Sequence, residues 1–306
     1  MDVEIEEVGL REGVQSNKKI LSLEEKINIV KKLLNAGINR IQLGSFVNPK
    51  LVPQMEGVEE LFKYFGNIDN IKFSGLVLNI KGVERALGCG VKSLEMSLSA
   101  SNSHQIENTG KTIDESIKEI STMIHIAKQN NAYIRANISA SFGCAFEGII
   151  KIETVQNLVK MLIKKDVDEI ALSDTVGFAT PGKITKMIDA VSAISQNTRF
   201  SLHLHDTLGM GLANIITALE KGICSFDSSI AGLGGCPFMK DAPGNVATED
   251  VVYMLQSLGY LKQINIQKLC DCALYTRKLY KKTFTGKISQ YKDALSKLNL
   301  LDSLDE

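Results

Sequence analysis

Eight times between residues 3 and 227 the chain passes from a short β-rich run into a helix-compatible stretch, and this alternation constrains its fold more than any other feature. Strands are predicted at residues 3–8, 38–43, 71–78, 93–97, 133–138, 169–172, 200–204 and 225–227. Ser22 with Glu25 and Thr112 with Glu115 have the spacing of capping boxes, and Pro181 after Thr180 suits a first helical turn. Residues 25–36, 113–129 and 181–195 repeat apolar side chains every three or four positions, as outer helices packed on a sheet do. Eight strands with short links favour an α/β fold closed into a (β/α)8 TIM barrel, with an open doubly wound sheet as the alternative. Residues 247–258 then read as the last barrel helix and 266–281 as an extra C-terminal one. The expected division is a single catalytic domain over 1–285 and a polar, lysine-rich peripheral tail over 286–306.

In such a barrel the reactive residues gather at the C-terminal ends of the strands. The first strand leads into Gly9-Leu10-Arg11-Glu12-Gly13, the second ends near Gln42, and the sixth leads into Ser173-Asp174-Thr175. His203 and His205 lie two apart on the seventh strand, so both rings project to one face and can bind one ion. The chain has only 4 histidines, which gives that pairing weight. Glu12 is the best-placed carboxylate to join them, because the first and seventh strands flank the eighth, and Asn245 can add a carbonyl oxygen. Imidazole with carboxylate suits Mg, Mn, Zn or Fe, of which Mg or Mn is favoured.

Arg11, beside Glu12, offers fixed positive charge for a developing oxyanion; the plainer reading is a structural pair with Asp174 or Glu12. Cys236 follows Gly234-Gly235 and precedes Pro237, where a thiol can pass a proton, although an isolated cysteine is more often an inert buried residue. His104 and His125 read as surface or satisfied residues, and Cys270 and Cys272 as packing on a helix. Gly209-Met210-Gly211 imitates a dinucleotide loop, but Asn214 stands where its third glycine belongs.

The 35 Lys plus Arg balance 35 Asp plus Glu, so nothing draws the chain to nucleic acid or an anionic membrane, and a small molecule is the expected partner. No apolar run is long enough for a membrane span, and Glu4, Glu6 and Glu7 replace the basic start of a signal peptide, so a cytoplasmic location is expected. The 6 cysteines are scattered without a CxxC pair, and reduced thiols are expected.

These motifs together resemble the 3-hydroxy-3-methylglutaryl-CoA lyases, within a wider group of metal-dependent barrel lyases and synthases. The likeness rests on Ser45-Phe46-Val47-Asn48-Pro49-Lys50 through Val52-Pro53-Gln54-Met55, on Ser173-Asp174-Thr175-Val176-Gly177, and on His203-Leu204-His205-Asp206-Thr207. It rests also on Ala231-Gly232-Leu233-Gly234-Gly235-Cys236-Pro237-Phe238 followed by Gly244-Asn245-Val246-Ala247-Thr248-Glu249-Asp250. The resemblance implies metal ligation by Glu12, His203, His205 and Asn245, with Arg11 near the reacting carbonyl. It further implies proton transfer by Cys236 on a closing loop, removal of the substrate hydroxyl proton with help from Asp174, an acyl-CoA substrate, and a homodimer. Asn79, Lys50 and Lys81 are candidates to grip the CoA.

Three positions depart from that family's pattern. Glu12 stands where aspartate is usual, Gln42 where the lyases carry a glutamate near the ion, and Met239-Lys240-Asp241 replaces a smaller segment of the signature loop. A neutral amide at Gln42 supplies neither base nor charge. The leading expectation is retro-Claisen cleavage of a 3-hydroxy-3-methylglutaryl-CoA-like substrate; an acetyl-CoA-dependent synthase acting on a 2-oxo acid and a non-catalytic acyl-CoA-binding paralogue are the alternatives.

Overall fold

The computed structural model describes residues 2–66, 68–235, 244–281, 285–298 and 300–301. Along the chain run β1 (Glu4–Glu7), α1 (Leu23–Ala36), β2 (Arg40–Ser45), α2 (Val58–Phe65), β3 (Lys72–Val77), α3 (Ile80–Gly88) and β4 (Ser93–Ser99). There follow α4 (Asn102–Thr109), α5 (Ile113–Gln129), β5 (Tyr133–Ser139), α6 (Ile152–Lys164), β6 (Glu169–Asp174) and α7 (Pro181–Ser192). The rest is β7 (Phe200–Leu204), α8 (Gly211–Glu220), β8 (Ser225–Ser228), α9 (Thr248–Ser257), α10 (Ile266–Tyr280) and α11 (Lys292–Lys297). All neighbouring strands pair in parallel, and β8 returns to β1 with Glu6 opposite Asp227, closing the barrel.

Each predicted strand is present. The two capping boxes form, Ser22 and Thr112 accepting from the Glu25 and Glu115 amides while those carboxylates reach back. These caps satisfy helix-end donors that would otherwise be orphaned. α1 ends at Gly37, whose φ of 97° only glycine adopts without strain. The helices bury stripes such as Ile29, Val30, Leu33 and Ala36 of α1, or Ile184, Met187, Ile188 and Val191 of α7. These meet the outward side chains of the strands, including Ile41, Leu43, Leu94, Met96, Ile134, Ile170, Leu202 and Phe226, all within one apolar cluster. Truncating any of these large residues to Ala costs about 2–5 kcal/mol. Cys270 and Cys272 are fully buried in that layer, as packing requires.

The barrel lumen is built differently. Its side chains are charged: Arg40 of β2 reaches Glu169 of β6 at 2.8 Å, and Arg135 of β5 reaches Asp227 of β8 at 2.7 Å and Glu169 at 2.9 Å. Arg40 also meets Glu6 of β1 at 2.8 Å, and Arg135 pairs closely with Glu95 of β4. Strands 2 and 6 are not neighbours, so such contacts can only cross the interior. Burial alone would favour the neutral forms of Arg40, Arg135 and Glu169, but the surrounding opposite charges hold both arginines protonated and Glu169 well below the usual carboxylate range. Breaking one member of such a lattice strands a buried charge, at about 3–5 kcal/mol.

Candidate active site at the barrel mouth

Immediately after β1 the chain makes a π turn, Gly9–Gly13, with Val14 N–H donating to Gly9 O. Wide turns of this kind are uncommon and recur at functional sites. It carries Arg11 and Glu12 to the mouth. On β7, two-residue periodicity sends His203 and His205 to the same side, as expected, and Glu12 meets both: His203 Nε2 lies 3.2 Å and His205 Nε2 2.9 Å from Glu12 Oε1. Among the described residues, these three form the one group of histidines, cysteines and acids whose ligand atoms all lie within 4.8 Å of one another.

Asn245 is brought beside them by backbone pairing. Residue 245 bridges His205 in antiparallel fashion, and Asp206 N–H donates to Gly244 O at 2.7 Å. The Asn245 amide nitrogen donates to Leu233 O at 3.3 Å, leaving Oδ1 as its acceptor atom. Gly234 makes this possible: a Cβ there would lie 2.6 Å from Asn245 Nδ2.

Three sides hold Arg11. Nη1 lies 2.7 Å from Glu12 Oε2, Nε donates to Gln42 Oε1, and Nη2 lies 3.5 Å from Glu95 Oε1. The structural pairing with Glu12 therefore exists, and it leaves the guanidinium beside the imidazoles rather than withdrawn from them. Gln42 is fully buried, and its Nε2 has no hydrogen-bond partner. Asp174, at the end of β6 next to His203's neighbour Ser173, accepts from Phe178 N–H and Ala179 N–H at 2.9 Å each. Burial raises its carboxyl above the usual range, those two amides only partly opposing it.

The donor set suits a divalent cation. Burial pushes the Glu12 carboxyl up, yet the charges of His203 and Arg11 overcome this and hold it well below its ordinary value. Burial would also discharge His203, but Glu12 and Asp227 lift it to about 10. Both directions mark a place made for positive charge. Glu12, with Arg11 on one oxygen and both imidazoles on the other, supplies the negative charge that a divalent ion held there would meet.

The remaining predicted residues scatter. Lys50, in the loop after β2, and Lys81, in the first turn of α3, are exposed at the same end of the barrel, whereas Asn79 caps α3 by accepting from Gly82 N–H at 2.8 Å. Cys236 and Met239-Lys240-Asp241 lie outside the described residues. His104 is buried on α4 with Nδ1 3.0 Å from Ser99 Oγ, and His125 is exposed. Sequence reasoning passed over Glu95, Arg135 and Asp227. The available signal was their position: strands of a closed barrel are covered on both faces, so a charge in mid-strand must find its partner in the lumen.

Fold and site together define a (β/α)8-barrel enzyme that works at the C-terminal mouth of its strands. The profile of the HMGL-like family matches residues 2–275, and the chain belongs to that family. It is 39% identical over 267 residues to the mitochondrial hydroxymethylglutaryl-CoA lyase of Arabidopsis thaliana, covering 87% of this chain and 57% of that longer protein. It is 38% identical over 269 residues to the 3-hydroxy-3-isohexenylglutaryl-CoA/hydroxy-methylglutaryl-CoA lyase of Pseudomonas aeruginosa, covering 88% of this chain and 90% of the relative. The crystal structure of hydroxymethylglutaryl-CoA lyase from Pseudomonas aeruginosa superposes with a TM-score of 0.92 at 35% identity, covering 96% of this chain and 98% of that one.

Proposed function

We propose that the chain is a carbon–carbon lyase that cleaves 3-hydroxy-3-methylglutaryl-CoA, or a close relative with another C3 substituent, to acetyl-CoA and a keto acid. The observation that carries this reading is the convergence of Glu12, His203 and His205 with Arg11 against them. Relatives named as lyases of such substrates support it, and lend no favour to the synthase or the non-catalytic paralogue.

Glu12, His203, His205 and Asn245 would hold the ion, Mg or Mn suiting them best and Zn fitting the same donors. When bound, a divalent ion supplies a Lewis acid that eases ionisation of the substrate C3 hydroxyl. Asp174, whose carboxylate burial makes a stronger proton acceptor, takes up the hydroxyl proton. The C2–C3 bonding pair passes to C2 as the C3 ketone forms, and Arg11 presents its fixed charge to the thioester enolate oxygen. Gln42 contributes no charge and instead anchors Arg11 Nε. Cys236 then protonates C2, giving acetyl-CoA, with acetoacetate as the partner product of the parent substrate. Lys50 and Lys81 supply charge for the CoA phosphates, with Asn79 beside them. A homodimer is carried over from the family resemblance. No helix among the described residues is long and apolar enough to cross a membrane.

The test is acetyl-CoA release from 3-hydroxy-3-methylglutaryl-CoA with Mg or Mn against an EDTA control, for the wild type and Gln42→Glu. Metal-dependent release by the wild type is expected. Release only after Gln42→Glu would point to a lyase frame tuned to another acyl-CoA, and silence in both would reject the reading.

A further inference from the structure

We propose that Glu95 and Asp227, joined through Arg135, are positioning residues that fix Arg11 and the His203 ring relative to one another. The inference rests on the reading that Glu12, His203 and His205 hold a divalent ion.

The contacts form an unbroken chain. Asp227 Oδ2 lies 3.0 Å from His203 Nδ1, and its other oxygen accepts from Arg135 Nη2 at 2.7 Å. Arg135 Nη1 pairs closely with Glu95 Oε2, and Glu95 Oε1 lies 3.5 Å from Arg11 Nη2. All five side chains are buried, and they come from β7, β8, β5, β4 and the π turn. Each carboxylate thus spends one oxygen on the shared guanidinium and the other on a mouth residue.

Two consequences follow from the chemistry. An imidazole whose Nδ1 faces a carboxylate keeps that nitrogen protonated and turns Nε2 outward, which here is toward Glu12 and the ion. Asp227 can hold the ring at one angle only if its own plane is fixed, and Arg135 fixes it. Arg135 has little freedom itself, because its planar fork also engages Glu169 Oε1 at 2.9 Å and Ser201 Oγ at 3.1 Å. Gln42 brings no charge to Arg11, so the lateral counter-charge on that side comes from Glu95. One buried guanidinium therefore sets both the metal ligand and the arginine that faces the substrate.

Calorimetric titration of the full-length protein with Mn(II) separates this from general loosening of the fold. The wild type should bind; Asp227→Asn should bind about 10–100-fold more weakly, and Glu95→Gln about threefold or more. The double variant should lose less than the sum of the two single losses, because Glu95 reaches the ion in part through Arg135 and Asp227. Ser201→Ala, which removes a hydroxyl partner of Arg135 and no charge, serves as the structural control and should weaken binding far less than Asp227→Asn, with melting temperatures recorded for all. Wild-type affinity in Asp227→Asn, additive losses in the double variant, or a Ser201→Ala loss equal to that of Asp227→Asn would each overturn the proposal. A wild type that does not bind Mn(II) would overturn the metal reading and the proposal with it, whereas a binding wild type with an indifferent Asp227→Asn overturns the positioning role alone.

Discussion

Arg11 and Glu12 are chain neighbours, yet Arg11 Nη1 lies 2.7 Å from Glu12 Oε2. In an ordinary helix adjacent side chains diverge, and the π turn is what lets them face one another. Arg11→Lys keeps the charge and loses the fork that spans Glu12, Gln42 and Glu95. The expected result is a fall in kcat of about 10²–10³-fold with KM little changed, read from initial rates of acetyl-CoA release. An effect on KM alone would show that the guanidinium binds substrate without stabilising the enolate.

The convergence of Glu12, His203 and His205 predicts that a divalent ion stabilises the folded chain. At free Mn(II) a hundredfold above its dissociation constant the gain is about 2.7 kcal/mol, visible as a higher melting temperature in scanning calorimetry than with EDTA. His203→Ala should abolish the difference. Coincident transitions with and without Mn(II) in the wild type would sink the prediction.

Gly234→Ala places a methyl group 2.6 Å from Asn245 Nδ2. Asn245 must shift, and the backbone pairing that sets it beside His205 shifts with it. A loss of about 1–3 kcal/mol in urea unfolding and weaker Mn(II) binding are expected together. If stability falls while the affinity stays put, Asn245 is no ligand.

Glu249 supplies part of the pH dependence, beside Glu7, whose carboxyl is likewise pushed up by burial to about 7. The Glu249 carboxyl, fully buried where it accepts from Ala231 N–H at 2.9 Å, is pushed up by burial and by Asp250 to about 7. A raised folded-state value means that between pH 4.5 and 7 Glu249 binds more protons in the folded chain than in the unfolded one, so its contribution to stability falls as pH rises through that window and is level above it. A shift of that size corresponds to roughly 3 kcal/mol. Glu249→Gln should reduce the slope between pH 5 and 7 in urea titrations, with Glu7 keeping the rest; an unchanged slope would place the titration elsewhere.

The barrel was legible because βα alternation survives any choice of side chains that keeps the two periods, and the two histidines were legible because strand geometry alone aligns them. β2 begins at Arg40 rather than residue 38, where pairing with Lys72 of β3 starts, since apolar pattern does not mark where a neighbour begins. The short α4, Asn102–Thr109, carries mostly polar side chains and leaves no stripe to read. The π turn has no residue signature, only a hydrogen bond. The charged lumen was missed because single charges such as Glu95 and Arg135 look like strand-edge residues until closure of the sheet turns them on one another.

A lumen of interlocked charges also limits how such a sequence can drift. Arg40 cannot be lost without cost, for Glu6 would lose its nearest guanidinium and Glu169 one of its partners, and a neutral replacement at Glu169 takes a counter-charge from two arginines at once. Viable changes at positions 6, 40, 95, 135, 169 and 227 must arrive in compensating sets. Descendants of this chain would then change there rarely, and several positions at once, while the apolar shell outside the sheet turns over one residue at a time.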